Sequence, residues 1–196
     1  TDGEGLSALT RYDGRREPLA YLDQLTSAMP FHLLERPRVL VLGAGAGADV
    51  LQAIYHGARA IDAVELNPQI VDLVEQRFAD FSGAPYSAPG VRIHIGEARG
   101  FVASRDDRFD LIQVALLDAS GASAAGLYAL SESYLYTVEA LQEYLRHLEP
   151  GGLLVMLSHL YRESRLADRV IDFVTREYGY AQLLSGIQWC TLMQRN

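Results

Sequence analysis

A short, almost unbroken aliphatic run, Arg38 to Leu42 (RVLVL), passes directly into Gly43-Ala44-Gly45-Ala46-Gly47 and then into a helical pattern that starts at Asp49. A run of this kind, ended by glycines, suits a strand buried on both faces of a parallel sheet. Strands of that type need helices on both faces, so this one junction commits the chain to an α/β architecture.

The alternation continues downstream. Asp49 to His56 reads as a helix closed by Gly57 at a C-cap, and Ala60 to Glu65 as the second strand. Pro68 opens a helix whose apolar stripe is Ile70, Val71, Val74 and Phe78, ended by the Gly-, Pro- and Ser-rich loop from Ser82 to Pro89. Val91 to Ile95 is the third strand, Gly100 to Ser104 a helix, and Phe109 to Leu117 the most hydrophobic strand. After the small residues Gly121 to Gly126, Ser133 to Leu148 reads as a helix, and Pro150-Gly151-Gly152 turns into the strand Leu153 to Ser158. Leu166 to Tyr178 is the last helix, followed by Ala181 to Ile187 and Trp189 to Met193 as a terminal antiparallel hairpin. Ahead of the first strand, Leu22, Leu25, Met29 and Leu33 give Leu19 to Leu34 helical spacing. The expected fold is a three-layer α/β sandwich around a Rossmann-like, seven-stranded, mostly parallel sheet with a C-terminal antiparallel hairpin. At 196 residues it forms one structural domain, with 1–37 as a leading segment and helix and 38–196 as the sheet domain.

Composition removes whole function classes. Seventeen basic against twenty-five acidic side chains leave a net charge of −8, so there is no basic footprint for nucleic acid. All the basic residues are Arg, which excludes Schiff-base lysines and the P-loop Gly-Lys-Ser/Thr. Cys190 is the only cysteine, so no internal disulfide or Cys-x-x-Cys site can form. The five histidines show no metal spacing, no metal site is expected, and none pairs with a Ser or Cys in a nucleophile motif. No apolar stretch approaches the roughly 20 residues of a membrane span, and the N-terminus lacks signal-peptide order. Thr1 in first place leads to the expectation of a processed product or a segment of something longer.

Glycines between a buried strand and a helix let a ligand approach the backbone, and the helix N-terminus favours polar or negative groups. Gly43, Ala44, Gly45, Gly47 and Asp49 are therefore candidate ligand contacts. The pattern fits both the Gly-x-Gly-x-Gly of methyltransferases and the Gly-x-Gly-x-x-Ala used for dinucleotides. Glu65, ending the second strand with Leu66 behind it, can accept both ribose hydroxyls of an adenosine and fits either. A second acid, Glu97 in Ile95-Gly96-Glu97-Ala98-Arg99, ends the third strand where an adenine edge would lie; its other reading is an N-cap neighbour or a solvated turn charge.

As an ordered set, Val39 to Gly45, Val64-Glu65-Leu66-Asn67-Pro68, Gly96-Glu97-Ala98-Arg99, Phe109 to Val114 and Leu148 to Leu154 resemble the class I S-adenosylmethionine-dependent methyltransferase fold, and within it the spermidine synthase-like branch. Leu127-Tyr128 with Tyr134-Leu135-Tyr136 is similar to the stretch after the active-site loop of aminopropyltransferases. The resemblance implies S-adenosylmethionine or its decarboxylated form as cofactor, and methyl or aminopropyl transfer to a small, amine-type acceptor. Implied ligand residues are Gly43, Ala44, Gly45, Gly47, Asp49, Glu65, Leu66, Glu97, Ala98 and Ala115. The branch's loop aspartate is Ala46 here, its Tyr-His-Glu motif is Tyr21-Leu22-Asp23, and its Asp-Ser-x-Asp is Ala115-Leu116-Leu117-Asp118, so the usual base position is Ala115.

Asp118 then becomes the candidate base or electrostatic partner of a cationic acceptor, with Tyr128 and Tyr21 as helpers. It reads equally as a loop carboxylate capping Ser120 or Gly121. Two other readings stay open: a degenerate nucleotide-binding or interaction domain of a larger, membrane-attached protein, and a nicotinamide-dependent oxidoreductase. The resemblance leads to expectations of a cytoplasmic chain, or the cytoplasmic domain of a membrane protein, and allows a homodimer; no nucleic-acid partner is expected.

Overall fold

The computed structural model describes residues 8–115, 135, 137–159, 182–184 and 188–194. Strands β1 (Arg38–Leu42), β2 (Ala60–Glu65), β3 (Val91–Ile95), β4 (Phe109–Val114), β5 (Leu148–His159), β6 (Gln182–Leu184) and β7 (Gln188–Gln194) form one sheet in the order β3-β2-β1-β4-β5-β7-β6. The first five pair in parallel. β7 runs antiparallel to β5, and β6 antiparallel to β7, so the parallel part stops at five strands. The residues joining β6 to β7, 185–187, lie outside the described residues, as does the expected helix from Leu166 to Tyr178.

Alternation along β1 sorts its side chains into two cores. Leu40 and Leu42 face α5 (Ala98–Ala103) and α6 (Val138–Arg146), packing with Val102, Leu141 and Tyr144. Val39 and Val41 face the opposite layer with Val50 and Ala53 of α2 (Ala48–Tyr55) and with Val74. Both faces are therefore covered, which is why RVLVL reads as a continuous apolar run rather than an alternating one.

Two expected helices are broken. Leu19–Leu34 is not one amphipathic helix: it divides into 3₁₀ turns Glu17–Gln24 and Thr26–Ala28 and the short α1 (Met29–Leu33). Leu25 is extended between them, and Pro30 lacks the N–H a longer helix would use. Leu19 and Leu22 are buried against Leu51 of α2, whereas Leu25 and Leu33 are exposed. Residues from the leading segment thus pack on the sheet domain through α2. After α3 (Pro68–Asp72), Leu73–Arg77 takes π-helical form and Phe78 N–H donates to the Leu73 carbonyl at 2.9 Å. The wider turn shifts the phase, so Val74 stays buried while Phe78 turns to solvent before α4 (Ala79–Ser82).

Between β4 and β5 the register jumps from Phe109↔Leu148 to Leu111↔Leu153, so Pro150-Gly151-Gly152 is a bulge inside β5 rather than a turn ahead of it. A Cβ on Gly152 would stand 2.9 Å from the Glu149 carbonyl and 3.1 Å from those of Phe109 and Asp110, which leaves glycine as the residue that fits.

A charge cluster is centred on a buried carboxylate of β2. Asp62 of β2 accepts from Arg92 at 2.9 Å twice, from Arg38 at 3.3 Å, and faces His94 Nε2 at 2.9 Å. Burial works to raise its carboxyl, but the bonds from Arg92 and His94, the charge of Arg92 and the bond from Arg38 outweigh it and hold the pKa at about 2. The folded value lies below the ordinary 3.8, so this stabilisation is present above that pH and lost as pH falls through about 2. Asp62→Ala is expected to cost about 2–3 kcal/mol in urea unfolding near neutral pH, less than for a fully enclosed pair because Arg92 can return to water. An unchanged midpoint would refute the assignment.

Candidate functional site

Parallel pairing brings the carboxyl ends of four strands to one edge. Leu42 is in register with Val64 and Val114, and Glu65 with Ile95, so Gly43, Leu66, Gly96 and Ala115 leave the sheet side by side. Strand order reverses at β1, between β2 and β4, which is where open α/β sheets form their ligand crevice.

The glycine loop is wound tightly over this edge. Gly43, Gly45 and Gly47 have φ of 82°, 54° and 89°, in the left-handed region that glycine tolerates. A Cβ on Gly47 would also come within 3.0 Å of Pro85 Cγ. The loop amides are turned inward. Gly43 and Ala44 N–H donate to the Val64 carbonyl at 2.9 and 3.0 Å, and Gly47 N–H to the Ala44 carbonyl at 2.9 Å. Gly45 N–H donates to Glu65 Oε2 at 2.8 Å, while Glu65 Oε1 accepts from Asn67 N–H at 2.8 Å. The described amides of the loop therefore shape the cradle rather than reach out of it, and ligand contact falls to carboxylates and to the bare backbone of the glycines.

Glu65 is buried, with one backbone donor on each oxygen. A carboxylate offers about four acceptor sites, so two remain for a diol. Glu97 is exposed and caps α5, accepting from Arg99 N–H at 2.8 Å and Gly100 N–H at 2.6 Å. It is the N-cap of α5, and each of its oxygens keeps acceptor capacity beyond its one backbone bond. Leu66 is exposed, Ala98 is buried at the start of α5, and Ala115 is buried with its N–H on the Leu42 carbonyl at 2.9 Å.

Asp49, an expected ligand contact, is bonded within the protein. Its Oδ1 accepts from Gln113 Nε2 of β4 at 2.6 Å, tying α2 to the sheet beneath the loop. Burial pushes its carboxyl up to about 6, against the opposing effect of that hydrogen bond. Tyr21 is half exposed with its hydroxyl 3.0 Å from Thr10 Oγ1. Asp118 and Tyr128 lie outside the described residues.

One functional residue was missed in the sequence. Tyr86, buried in the Ser82–Pro89 loop, donates its hydroxyl to the Gly45 carbonyl at 2.6 Å and braces the loop from below. Its own N–H is held by Glu75 Oε1 at 2.8 Å, and Glu75 also takes the Ser87 hydroxyl. Burial, with the negative charges of Glu65, Asp49 and Glu75, drives the phenol well above its ordinary range, so it stays a donor. A Tyr in a loop rich in Pro, Gly and Ser carries no periodic signal; only its apolar bulk among small residues pointed to it. The histidines also behave differently in space than in sequence: His32 and His56 converge on Asp23, away from this edge.

The sequence pattern of the spermine/spermidine synthase domain matches residues 20–179. The chain belongs to that family. Its relatives include polyamine aminopropyltransferases of Korarchaeum cryptofilum, 26% identical over 74% of this chain and 42% of that protein, and of Nitrosomonas europaea, 25% identical over 90% and 52%. The chain thus spans about half the length of these curated relatives. A spermidine synthase solved with the transition-state analogue AdoDATO superposes with a TM-score of 0.68 at 15% identity, covering 91% of this chain and 59% of that one. Human methyltransferase-like protein 13 with SAH gives 0.66 at 17% identity, covering 90% and 82%. At that identity the two structures share the fold of this spermine/spermidine synthase domain.

Two measurements check the site's construction. The folded Asp49 value lies above the ordinary 3.8, so its contribution is whole below that pH and is lost as pH rises through about 6. Asp49→Asn removes the penalty of the buried charge, and the variant is expected to exceed the parent by up to about 3 kcal/mol above that range while converging with it in acid. Equal stability at alkaline pH would contradict the buried-carboxyl account. Tyr86→Phe is expected to lose about 1 kcal/mol and to speed hydrogen exchange at the Gly45 amide; unchanged exchange would mean the hydroxyl braces nothing.

Proposed function

We propose that this domain binds decarboxylated S-adenosylmethionine, or S-adenosylmethionine itself, at the glycine-loop edge and transfers its alkyl group to a small amine acceptor. The observation that carries the reading is Glu65: a buried carboxylate, locked by one backbone N–H on each oxygen, that retains acceptor sites for a vicinal diol at the carboxyl end of β2. Glu97 stands at the end of β3 with acceptor capacity for an amino-bearing purine edge. The donor set therefore fits an adenosyl group. The family match and the aminopropyltransferase relatives support the reaction class.

A sulfonium donor supplies the transferred carbon together with a neutral thioether leaving group. The chain's part is to align the acceptor and take up its proton. Asp118, three residues past Ala115, is the carboxylate that sequence order brings to the end of β4, and we assign it that role, with Tyr128 as a helper and Tyr21 available only on release of Thr10. Ala115 itself is walled into the sheet end and can do no acid–base work.

A second reading rests on Ala46 and Ala115 at positions where the branch carries aspartates: a domain that binds the nucleoside without turning it over. Calorimetric titration with decarboxylated S-adenosylmethionine, S-adenosylmethionine and NAD, followed by incubation with diamines and mass detection of the alkylated amine, separates the readings. The expected outcome is preference for a sulfonium donor over NAD, at least tenfold weaker binding by Glu65→Gln well below its melting midpoint, and turnover that Asp118→Asn reduces. Binding without turnover on any amine selects the second reading; binding of NAD alone overturns both.

A further inference from the structure

At the opposite end of α2 from the glycine loop, residues of three elements converge. Asp23 comes from the 3₁₀ turn Glu17–Gln24, His32 from α1, and His56 caps α2. Asp23 Oδ1 lies 2.7 Å from His32 Nε2 and 3.4 Å from His56 Nε2, and one ligand atom from each residue falls within 4.8 Å of the others. An eight-residue helix is roughly 12 Å long, so this cluster is separate from the donor edge.

His56 is the telling member. Its ring stacks on Phe31, with centroids 4.8 Å apart and planes 9° from parallel, and meets Tyr55 edge-on at 5.0 Å. The side chain is only 10% exposed, yet Nε2, turned toward Asp23, has no hydrogen-bond partner. Buried polar atoms in native proteins are ordinarily satisfied.

We infer that Asp23, His32 and His56 form a binding site for a divalent transition ion of the zinc type. Two imidazole nitrogens and one carboxylate suit zinc rather than calcium or magnesium, which require oxygen ligands. Tetrahedral bonds of about 2.0–2.1 Å place ligand atoms roughly 3.3 Å apart, so the two Asp23 contacts already bracket that spacing. The widest pair must close by no more than roughly 1.5 Å, a movement open to His32, whose side chain is more than half exposed. Three protein ligands leave a position for water. Arg16 works against a cation here, but its guanidinium is exposed and donates to the Ile54 carbonyl at 3.4 Å. Coordination would satisfy His56 and clamp the leading segment and α1 to the end of α2.

The test uses the whole chain, stripped with a chelator and titrated with Zn²⁺ against a chromogenic competitor, then with Co²⁺ while its visible absorption is followed. Binding of one equivalent is expected, with at least a tenfold loss of affinity and loss of the cobalt spectrum in both His32→Ala and Asp23→Asn. These variants alter partly exposed side chains, and circular dichroism verifies their folds. Zn²⁺ is expected to raise the melting midpoint of the parent and not of the variants. No uptake by the parent, or equal uptake by parent and variants, overturns the site, and neither result bears on nucleoside binding at the other end of α2.

Discussion

The bond between Gly45 N–H and Glu65 is the constraint on which the rest of the site depends. It spans from the loop after β1 to the end of β2, and it works only because Val64 has already captured the amides of Gly43 and Ala44. These contacts bend the chain sharply enough to start α2 directly over the sheet edge. They also leave Glu65 in one orientation, with its remaining lone pairs available to a diol. The residue assigned to ligand reading is thus the same one that holds the loop in shape, so loss of the carboxylate would disturb both.

The loop is braced from two further directions. Tyr86 holds the Gly45 carbonyl from below, and Asp49 fastens α2 to Gln113 of β4. Tyr86 lies near the negative charges of Glu65, Asp49 and Glu75, and burial shifts both groups so that the proton is retained more strongly. Gln113 keeps a buried Oε1 without a partner among the described residues. Such a cradle keeps its shape through polar contacts that packing alone would not supply, and they are set close to where a ligand is proposed to lie. Within the sheet, Asp62 collects Arg38, Arg92 and His94 in a structural ion cluster.

Membership of the spermine/spermidine synthase family narrows the chemistry without completing it. Ala46 and Ala115 stand where the resemblance implies carboxylates. Ala115 is built into the sheet end by its own N–H, so no nearby side chain moves into its place through β4. Among the described residues no helix is long and apolar enough to cross a membrane.

The sequence by itself determined the parallel core strands, the glycine loop and the position of two acids just past or at the ends of β2 and β3, because each depends on local rules: apolar runs for buried strands, positive φ for glycines, and the point where an apolar run stops. It misjudged the leading segment, where leucines at helical spacing conceal 3₁₀ turns separated by an extended Leu25, and it misjudged the phase after Asp72, where a π turn rotates Phe78 outward. Periodicity counts residues per turn and is blind to a change in that number. Only the tertiary structure decided that the loop amides point inward, that Asp49 serves the scaffold, that Tyr86 supports Gly45, and that His32 and His56 meet at Asp23. Each of these joins residues on different elements, and such contacts arise from packing the elements together rather than from any spacing along the chain.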